Sequence, residues 1–314
     1  MQSNGNGEKK AKPFLKWAGG KKQILNFIED TLPHYIKDKM VIDKYFEPFL
    51  GGGAVFFHLF QKYDIKEAFL YDINKELILT FNVVKNSPKK LISELNILSD
   101  EYLSLDMDCR KNFYYIVRDE FNNALDNFDY NNFSTDHVIR ASQMIFLNRT
   151  CFNGLYRVNK SGKFNVPMGT YKNPLICDID NIINVSNVLK DVNLYCGDYS
   201  MSEELIDENS FVYLDPPYLP IKENSFTSYT SDGFGISEQI ELSKFCKRID
   251  AIDSKFLLSN SDPKNHDSSS TFFEDTYKNL NLNKLSFRKI NARRSINSNA
   301  KKRGSINELL IYNY

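Results

Sequence analysis

The chain has 314 residues, 42% hydrophobic and 14% aromatic, enough apolar side chain for about two packed domains and too much for a disordered protein. Its 40 basic residues balance 40 acidic ones, and a net charge of zero, taken alone, argues mildly against a nucleic-acid partner. No apolar run approaches ~20 residues, so no membrane span is expected. Residues 1–12 are polar and lysine-bearing and read as a disordered lead-in rather than a secretory signal. Cys109, Cys151, Cys177, Cys196 and Cys246 lack metal-finger spacing, which predicts reduced thiols in a cytoplasmic protein, associated with the nucleoid if it binds DNA, and no structural zinc.

Residues 14–22 hold the only Trp, two glycines and three lysines, without the G-x-x-x-x-G-K-[ST] spacing of a phosphate loop. Trp17 could cover the apolar face of a cofactor, and Lys16 and Lys21 could reach phosphates or carboxylates. Taken alone, the segment reads as a core Trp with solvated lysines. Residues 44–49 then predict a strand running into Gly51, Gly52 and Gly53, and residues 54–62 a helix, with Val55, Phe56, Leu59 and Phe60 at helical spacing. Residues 68–71 predict a second strand ending at Asp72, and residues 75–84 a second amphipathic helix. This βαβα order implies parallel strands with right-handed crossovers. Residues 87–136 read as helical, acidic and Asn-rich, and residues 138–147 as helical. Strand patterns resume at 192–196, 211–214, 255–259 and 308–312. Residues 223–235 and 291–304 read as loops. The expected fold class is α/β, a Rossmann-like sheet interrupted by a mainly helical insert.

Two strand ends carry chemistry. Phe211, Val212, Tyr213 and Leu214 form a buried-strand pattern that must stop at Asp215, because Pro216 and Pro217 cannot continue a ladder. A carboxylate, a proline carbonyl and the Tyr218 ring then meet at the carboxyl end of a strand, where α/β sheets bind ligands. Two acceptors beside a stacking ring suit a planar group bearing an amine; the alternative is a tight turn capped by Asp215. At the other end, Gly51 and Gly53 permit close approach to a ligand, and Asp72 follows about 20 residues on, where this fold class bonds ribose hydroxyls. The glycines are consecutive, and Glu47 just before them disfavours a pyrophosphate. A cationic ribonucleoside, S-adenosyl-L-methionine, suits these groups better than a dinucleotide, although glycine runs also serve helix–strand packing.

The charge is unevenly distributed. Residues 137–177 hold no acid but include Arg140, Arg149, Arg157, Lys160, Lys163 and Lys172. Residues 276–307 likewise carry Lys278, Lys284, Arg288, Lys289, Arg293, Arg294, Lys301, Lys302 and Arg303 without an acid. Such tracts suit phosphate contacts, or are simply solvated loops.

With these segments together, the chain resembles the Dam-like DNA adenine-N6 methyltransferases of the α permutation, and most nearly the restriction-modification members that protect GATC sites. The resemblance runs from Phe14 to Tyr314. It rests on FLKWAGGKKQIL, YFEPFLGGGAVFF, YDIN, NRTCFNGLYRVNKSGKFNVPMG, and FVYLDPPYLP followed by FTSYTSDGFG. It implies that residues 13–74 and 178–314 form a discontinuous catalytic domain binding S-adenosyl-L-methionine, and that residues 75–177 form a target-recognition domain. It implies cofactor contacts from Trp17, Lys21, Asp72, Asp215 and the glycine loop with Gly51 and Gly53, and catalytic roles for Asp215 and Tyr218 on a flipped adenine. The chemistry of the residues adds Glu47 to the cofactor set and the Pro216 carbonyl to the catalytic one, and needs no metal. It places Lys16 and Arg157 as base readers, Asn153, Leu155 and Pro167 at base edges, and Phe152 as a wedge beside the extruded base. Arg157 could instead contact a phosphate. The tract at 288–303, with Arg293 and Arg294, is expected to grip the DNA backbone. The implied partners are double-stranded DNA and a cognate restriction system; methylation of one strand at a time needs only a monomer. Other readings are the same chemistry at another GAT-containing site, transfer to RNA, or a non-catalytic DNA-binding regulator.

Overall fold

A computed structural model of the protein describes residues 11–218, 234–265, 267–293 and 305–314, of which 292, 293, 305 and 306 are described by backbone alone. Residues 1–10 of the lead-in expected at 1–12, the FTSYTSDG stretch, Arg294 and most of the loop expected at 291–304 lie outside the described residues, whereas Ala11 is buried and the Lys12 amide donates to Asn181 Oδ1 at 3.0 Å. The chain runs α1 (Leu25–Thr31), α2 (His34–Lys39), β1 (Val41–Glu47), α3 (Ala54–Phe60), β2 (Asp64–Asp72), α4 (Lys75–Asn86), α5 (Pro88–Ser104) and α6 (Met107–Asn123). It continues through α7 (Thr135–Thr150), α8 (Ile179–Leu189), β3 (Val192–Cys196), β4 (Ser210–Leu214), α9 (Ile236–Ala251), β5 (Lys255–Ser261), α10 (Phe272–Lys278), β6 (Ser286–Arg293) and β7 (Ser305–Tyr312). Among the described residues, seven strands form one sheet in the order β3-β2-β1-β4-β5-β7-β6. No helix among them is long and apolar enough to cross a membrane.

The residues group into two compact units. One takes the described parts of Lys21–Leu50, Lys62–Ile73 and Tyr195–Tyr314. In it β1 pairs in parallel with β2 and β4, and β4 with β5, as the alternating pattern requires. The last strands differ: β7 runs antiparallel between β5 and β6. Side chains alternate across the sheet, so Val212 and Leu214, Phe256 and Leu258, and Leu309 and Ile311 share one face. That face packs on Leu242, Phe245, Cys246 and Ile249 of α9 and Phe273 and Tyr277 of α10. Burying each such side chain contributes about 1.5–3 kcal/mol. The opposite parity, Tyr213, Asp215, Ser259 and Glu308, is thereby left to one common face.

β6 (Ser286–Arg293) corrects the sequence-based expectation, which has no strand at 286–290 and begins a loop at Asn291. The strand mixes Arg288 and Lys289 with Phe287 and Ile290. Charged residues are how an edge strand resists pairing with another chain, and they hide the apolar alternation that marks a buried strand. α1, α2, α8, α9 and α10 are likewise helices that the sequence reading does not single out.

The other unit takes the described parts of Met1–Gly20, Gly51–Gln61 and Asn74–Leu194. Its centre is α7, buried along nearly its whole length and packed by α4, α5 and α6. Arg140 of α7 donates from Nε to both carboxylate oxygens of Glu76, at 2.8 and 3.0 Å, and from Nη1 to the Phe121 carbonyl at 2.9 Å. Tyr130 also donates to Glu76. This corrects the charge reading, because Arg140 is 2% exposed and serves the core rather than phosphate. Arg149 donates to the Phe14 carbonyl at 2.8 Å, and in the first unit Arg288 donates to Thr31 at 2.7 Å. An acid-free stretch of sequence does not reveal which distant acids and carbonyls fold onto it.

Candidate active site and recognition hairpin

Three neighbouring parallel strands of the sheet unit each finish on an acid. β2 ends at Asp72, β1 ends at Glu47, and Asp215 directly follows β4. The break after Leu214 has the expected cause: Pro216 and Pro217 have no amide hydrogen for the ladder. Glu47 is buried and accepts from the Tyr45 hydroxyl at 2.7 Å, and the Asp72 carbonyl accepts from the Gly197 amide at 3.1 Å. This row of carboxylates fits a cationic, hydroxyl-bearing nucleoside and repels a pyrophosphate.

The turn at 215–218 is held by a short network. Lys21, just before α1, places Nζ 2.7 Å from Asp215 Oδ1 and also donates to the Tyr218 hydroxyl. Lys21 is only 4% exposed and Asp215 20%, so here the lysine is a buried partner and not a solvated one. Ser259 of β5 donates to the same Asp215 oxygen at 3.0 Å, and its hydroxyl lies 2.9 Å from that of Tyr213. Tyr218 donates to Glu308 Oε2 at 3.0 Å. Gln239 donates to the Pro217 carbonyl at 3.0 Å. Among the described residues, Asp215 Oδ2 and the Pro216 carbonyl accept no hydrogen bond, which leaves an acceptor on each of two consecutive residues.

Burial raises the Asp215 carboxyl above the ordinary carboxylate range, with Lys21 and Ser259 opposing the rise. Burial also raises Glu308, opposed by Lys21, reinforced by the nearby Asp215 charge and eased by the Tyr218 hydrogen bond. Burial holds Tyr218 well above the ordinary phenol value, so its hydroxyl keeps its proton and can donate to Glu308.

In the helical unit, Gly51 (φ +50°) and Gly53 (φ +69°) precede α3 in a conformation that favours glycine. A Cβ on Gly51 would lie 2.9 Å from Trp17 Cδ1, so the indole rests directly on the glycine loop. Trp17 also stacks on Tyr156, at 5.3 Å between ring centroids with 20° between planes. Trp17 therefore joins the glycine loop to the segment that follows α7.

That segment is an irregular hairpin. Antiparallel bridges join Cys151 to Met168 and Val158 to Phe164, and Gly162 (φ +73°) sits in the turn. Tyr156, Phe164 and Val166 point into the core, which turns Leu155, Arg157, Asn165 and Pro167 outward. Phe152 is 48% exposed, beside Asn153 (φ +56°), and its amide donates to the Pro167 carbonyl at 2.9 Å. Lys16 runs across Gly154, where a Cβ would meet Lys16 Cδ at 2.2 Å. Asn148 fixes this crossing by accepting from the Lys16 amide at 2.8 Å and donating to the carbonyls of Lys16 at 2.8 Å and Gly154 at 3.1 Å. Lys16 Nζ lies 4.1 Å from the Tyr171 ring centroid.

The structure thus gathers Lys16, Phe152, Asn153, Leu155 and Pro167 around one end of the hairpin. Arg157 lies farther along it and donates from Nε to Asn165 Oδ1 at 2.7 Å. Arg293 belongs to the sheet unit, described by backbone only. Ser259, Glu308, Asn148, Tyr156 and Tyr171 join these sites without having been marked by the sequence. Glu308 carried one signal, being the acid that ends the acid-free stretch at 276–307, just before the apolar run Leu309 to Ile311. The others gave no periodicity or spacing that marks them.

Comparison with known proteins finds similarity over most of the chain. Residues 17–296 match the family described as D12 class N6 adenine-specific DNA methyltransferase. The type II methyltransferase M.MjaIII of Methanocaldococcus jannaschii is 51% identical over 305 residues, covering 96% of this chain and 99% of the relative. The type II methyltransferase M1.LlaDCHI of Lactococcus lactis subsp. cremoris is 34% identical, covering 96% and 95%. The DNA adenine methylase of Escherichia coli K12 is 32% identical, with the same two coverages of 96% and 95%. A match across nearly the whole length, joined to an Asp-Pro-Pro-Tyr turn at a strand end, makes this chain a member of the D12 class N6 adenine-specific DNA methyltransferases.

Proposed function

We propose that the chain transfers the methyl group of S-adenosyl-L-methionine to the exocyclic amine of an adenine flipped out of duplex DNA, within GATC. The observation that carries the chemistry is the pair of acceptors, Asp215 Oδ2 and the Pro216 carbonyl, beside the anchored Tyr218 ring. When bound, the donor supplies a methyl group on a positively charged sulfonium. Trp17, Lys21, Glu47, Gly51, Gly53, Asp72 and Asp215 are assigned to holding it, the acids at the strand ends suiting its charge and its ribose. The amine is out of reach inside the duplex, so the base must leave the stack. The two acceptors then take the amine hydrogens and aim its lone pair, while Tyr218 stacks on the ring. The contribution is positioning and charge complementarity.

Residues 75–177 are assigned to target recognition, with Lys16 and Arg157 reading guanine and Leu155 and Pro167 meeting apolar base edges. Phe152 fills the space left by the base, and Asn153 lies beside it. Arg293 and Arg294 are assigned to the DNA backbone. The type II methyltransferase names among the relatives support a restriction-modification setting.

The test is methyl transfer to duplexes with GATC intact or scrambled, and to RNA, by the wild type and Asp215→Ala. Transfer confined to GATC duplex and reduced at least about 100-fold in the variant is expected. An Asp215→Ala protein that methylates at the wild-type rate would sink the chemistry. Sequencing the methylated adenines of cells expressing the chain decides the site, and modification centred elsewhere than GATC would overturn that part.

A further inference from the structure

The antiparallel insertion of β7 brings a carboxylate to the turn that the sequence does not place there. Glu308 is aligned with Ser261 of β5 and Ile290 of β6. It shares the sheet face of Asp215 and Ser259, because Leu309 and Ile311 are committed to the α9–α10 side. Its Oε2 accepts from Tyr218 at 3.0 Å, and the same hydroxyl accepts from Lys21, which also holds Asp215. The Tyr218 hydroxyl is therefore tied on both sides, by an ammonium that donates and a carboxylate that accepts. Both ends of the four-residue turn connect to Lys21, and the tyrosine end has a second anchor on another strand.

We propose that Glu308 is a positioning residue for methyl transfer: by accepting from the Tyr218 hydroxyl it fixes the aromatic ring relative to the Asp215 and Pro216 acceptors. This role presupposes that the 215–218 turn is the transfer site. A buried hydroxyl could be satisfied by Lys21 alone as acceptor, but its hydrogen would then lack a partner and the ring would be free to rotate out. Stacking on a flipped base needs the ring plane set before the base arrives, and loss of such placement is what a positioning role predicts.

The test uses the full chain, with single-turnover methylation and, separately, fluorescence of duplex carrying 2-aminopurine at the target adenine. Glu308→Ala is expected to slow transfer by about tenfold or more, with duplex affinity changed by less than about threefold. Glu308→Gln keeps an acceptor of the same size and is expected to restore most of the rate. Tyr218→Phe keeps the ring and removes only the hydroxyl, so it should lose about as much as Glu308→Ala, and the double variant no more. The fluorescence rise on binding should be smaller in Glu308→Ala and recover in Glu308→Gln. A Tyr218→Phe enzyme at the wild-type rate overturns the proposal even if Glu308→Ala fails to fold. So do equal losses in Gln and Ala, or losses that multiply in the double variant. An Asp215→Ala enzyme with full activity would instead remove the transfer-site reading itself.

Discussion

Lys21 Nζ and Asp215 Oδ1 lie 2.7 Å apart across some 190 residues of sequence, and this ion pair tethers the acid end of the 215–218 turn. Because burial raises the Asp215 carboxyl and Lys21 opposes that rise, removing the cation must raise it further. A protonated Asp215 is a poorer acceptor, so Lys21→Met should move the acid limb of the single-turnover pH profile upward. The apparent pKa belongs to Asp215 and Glu308 together. For stability the sign is that of a raised carboxyl: its contribution is full below the unfolded value of about 3.9 and is lost as pH rises through the folded one. Urea melts should therefore show Lys21→Met falling further behind the wild type as pH rises. A limb that stays put or moves down contradicts the pairing.

Arg140 and Glu76 form a buried pair, 2% and 7% exposed, that joins α7 to the start of α4. Removing one partner leaves a charge without compensation, so Arg140→Met should cost about 3–5 kcal/mol. Replacing both with Arg140→Met and Glu76→Leu should recover much of that loss. Chemical denaturation of the three variants measures this; a single variant as stable as wild type would show that the pair contributes nothing net.

Gly154 combines a positive φ of 63° with a Cβ position 2.2 Å from Lys16 Cδ. Gly154→Ala must push Lys16 off its path, and if Lys16 reads a base, discrimination suffers before overall binding does. Comparing cognate duplex with single-base mismatches should show preference falling by about tenfold, roughly the value of one base contact. A uniform drop on every sequence would point to a phosphate role for Lys16.

Trp17 is the only tryptophan, so its emission reports on the glycine loop without further labelling. Gly51→Ala combines a φ of +50° with a Cβ 2.9 Å from the indole, and should cost about 1–3 kcal/mol while shifting that emission. Gly52→Ala, at 3.2 Å from Trp17 Cβ, should perturb it less. Titration with the demethylated donor should change wild-type emission; an indifferent Trp17 would separate it from the donor site.

The α/β class, the break after Leu214 and three parallel strands were legible in the sequence, the strands at 44–49, 68–71 and 211–214 where the structure has 41–47, 64–72 and 210–214. Each follows from local chemistry: apolar runs of strand length, a glycine run, and two prolines that cannot extend a ladder. Asp215, Pro216 and Tyr218 were legible as a group for the same reason, being contiguous. The antiparallel β7–β6 pair was not, because strand direction depends on how the chain returns and β6 carries edge-strand charges. Nor could residue counting separate basic side chains near the hairpin surface, such as Arg157, from Arg140, which answers to Glu76 through the core. The sequence alone determined which residues end the strands and present acceptors. What fixes Asp215 and the Tyr218 ring depends on the fold, because Lys21, Ser259 and Glu308 reach the turn through separate elements whose meeting is set by packing rather than by spacing.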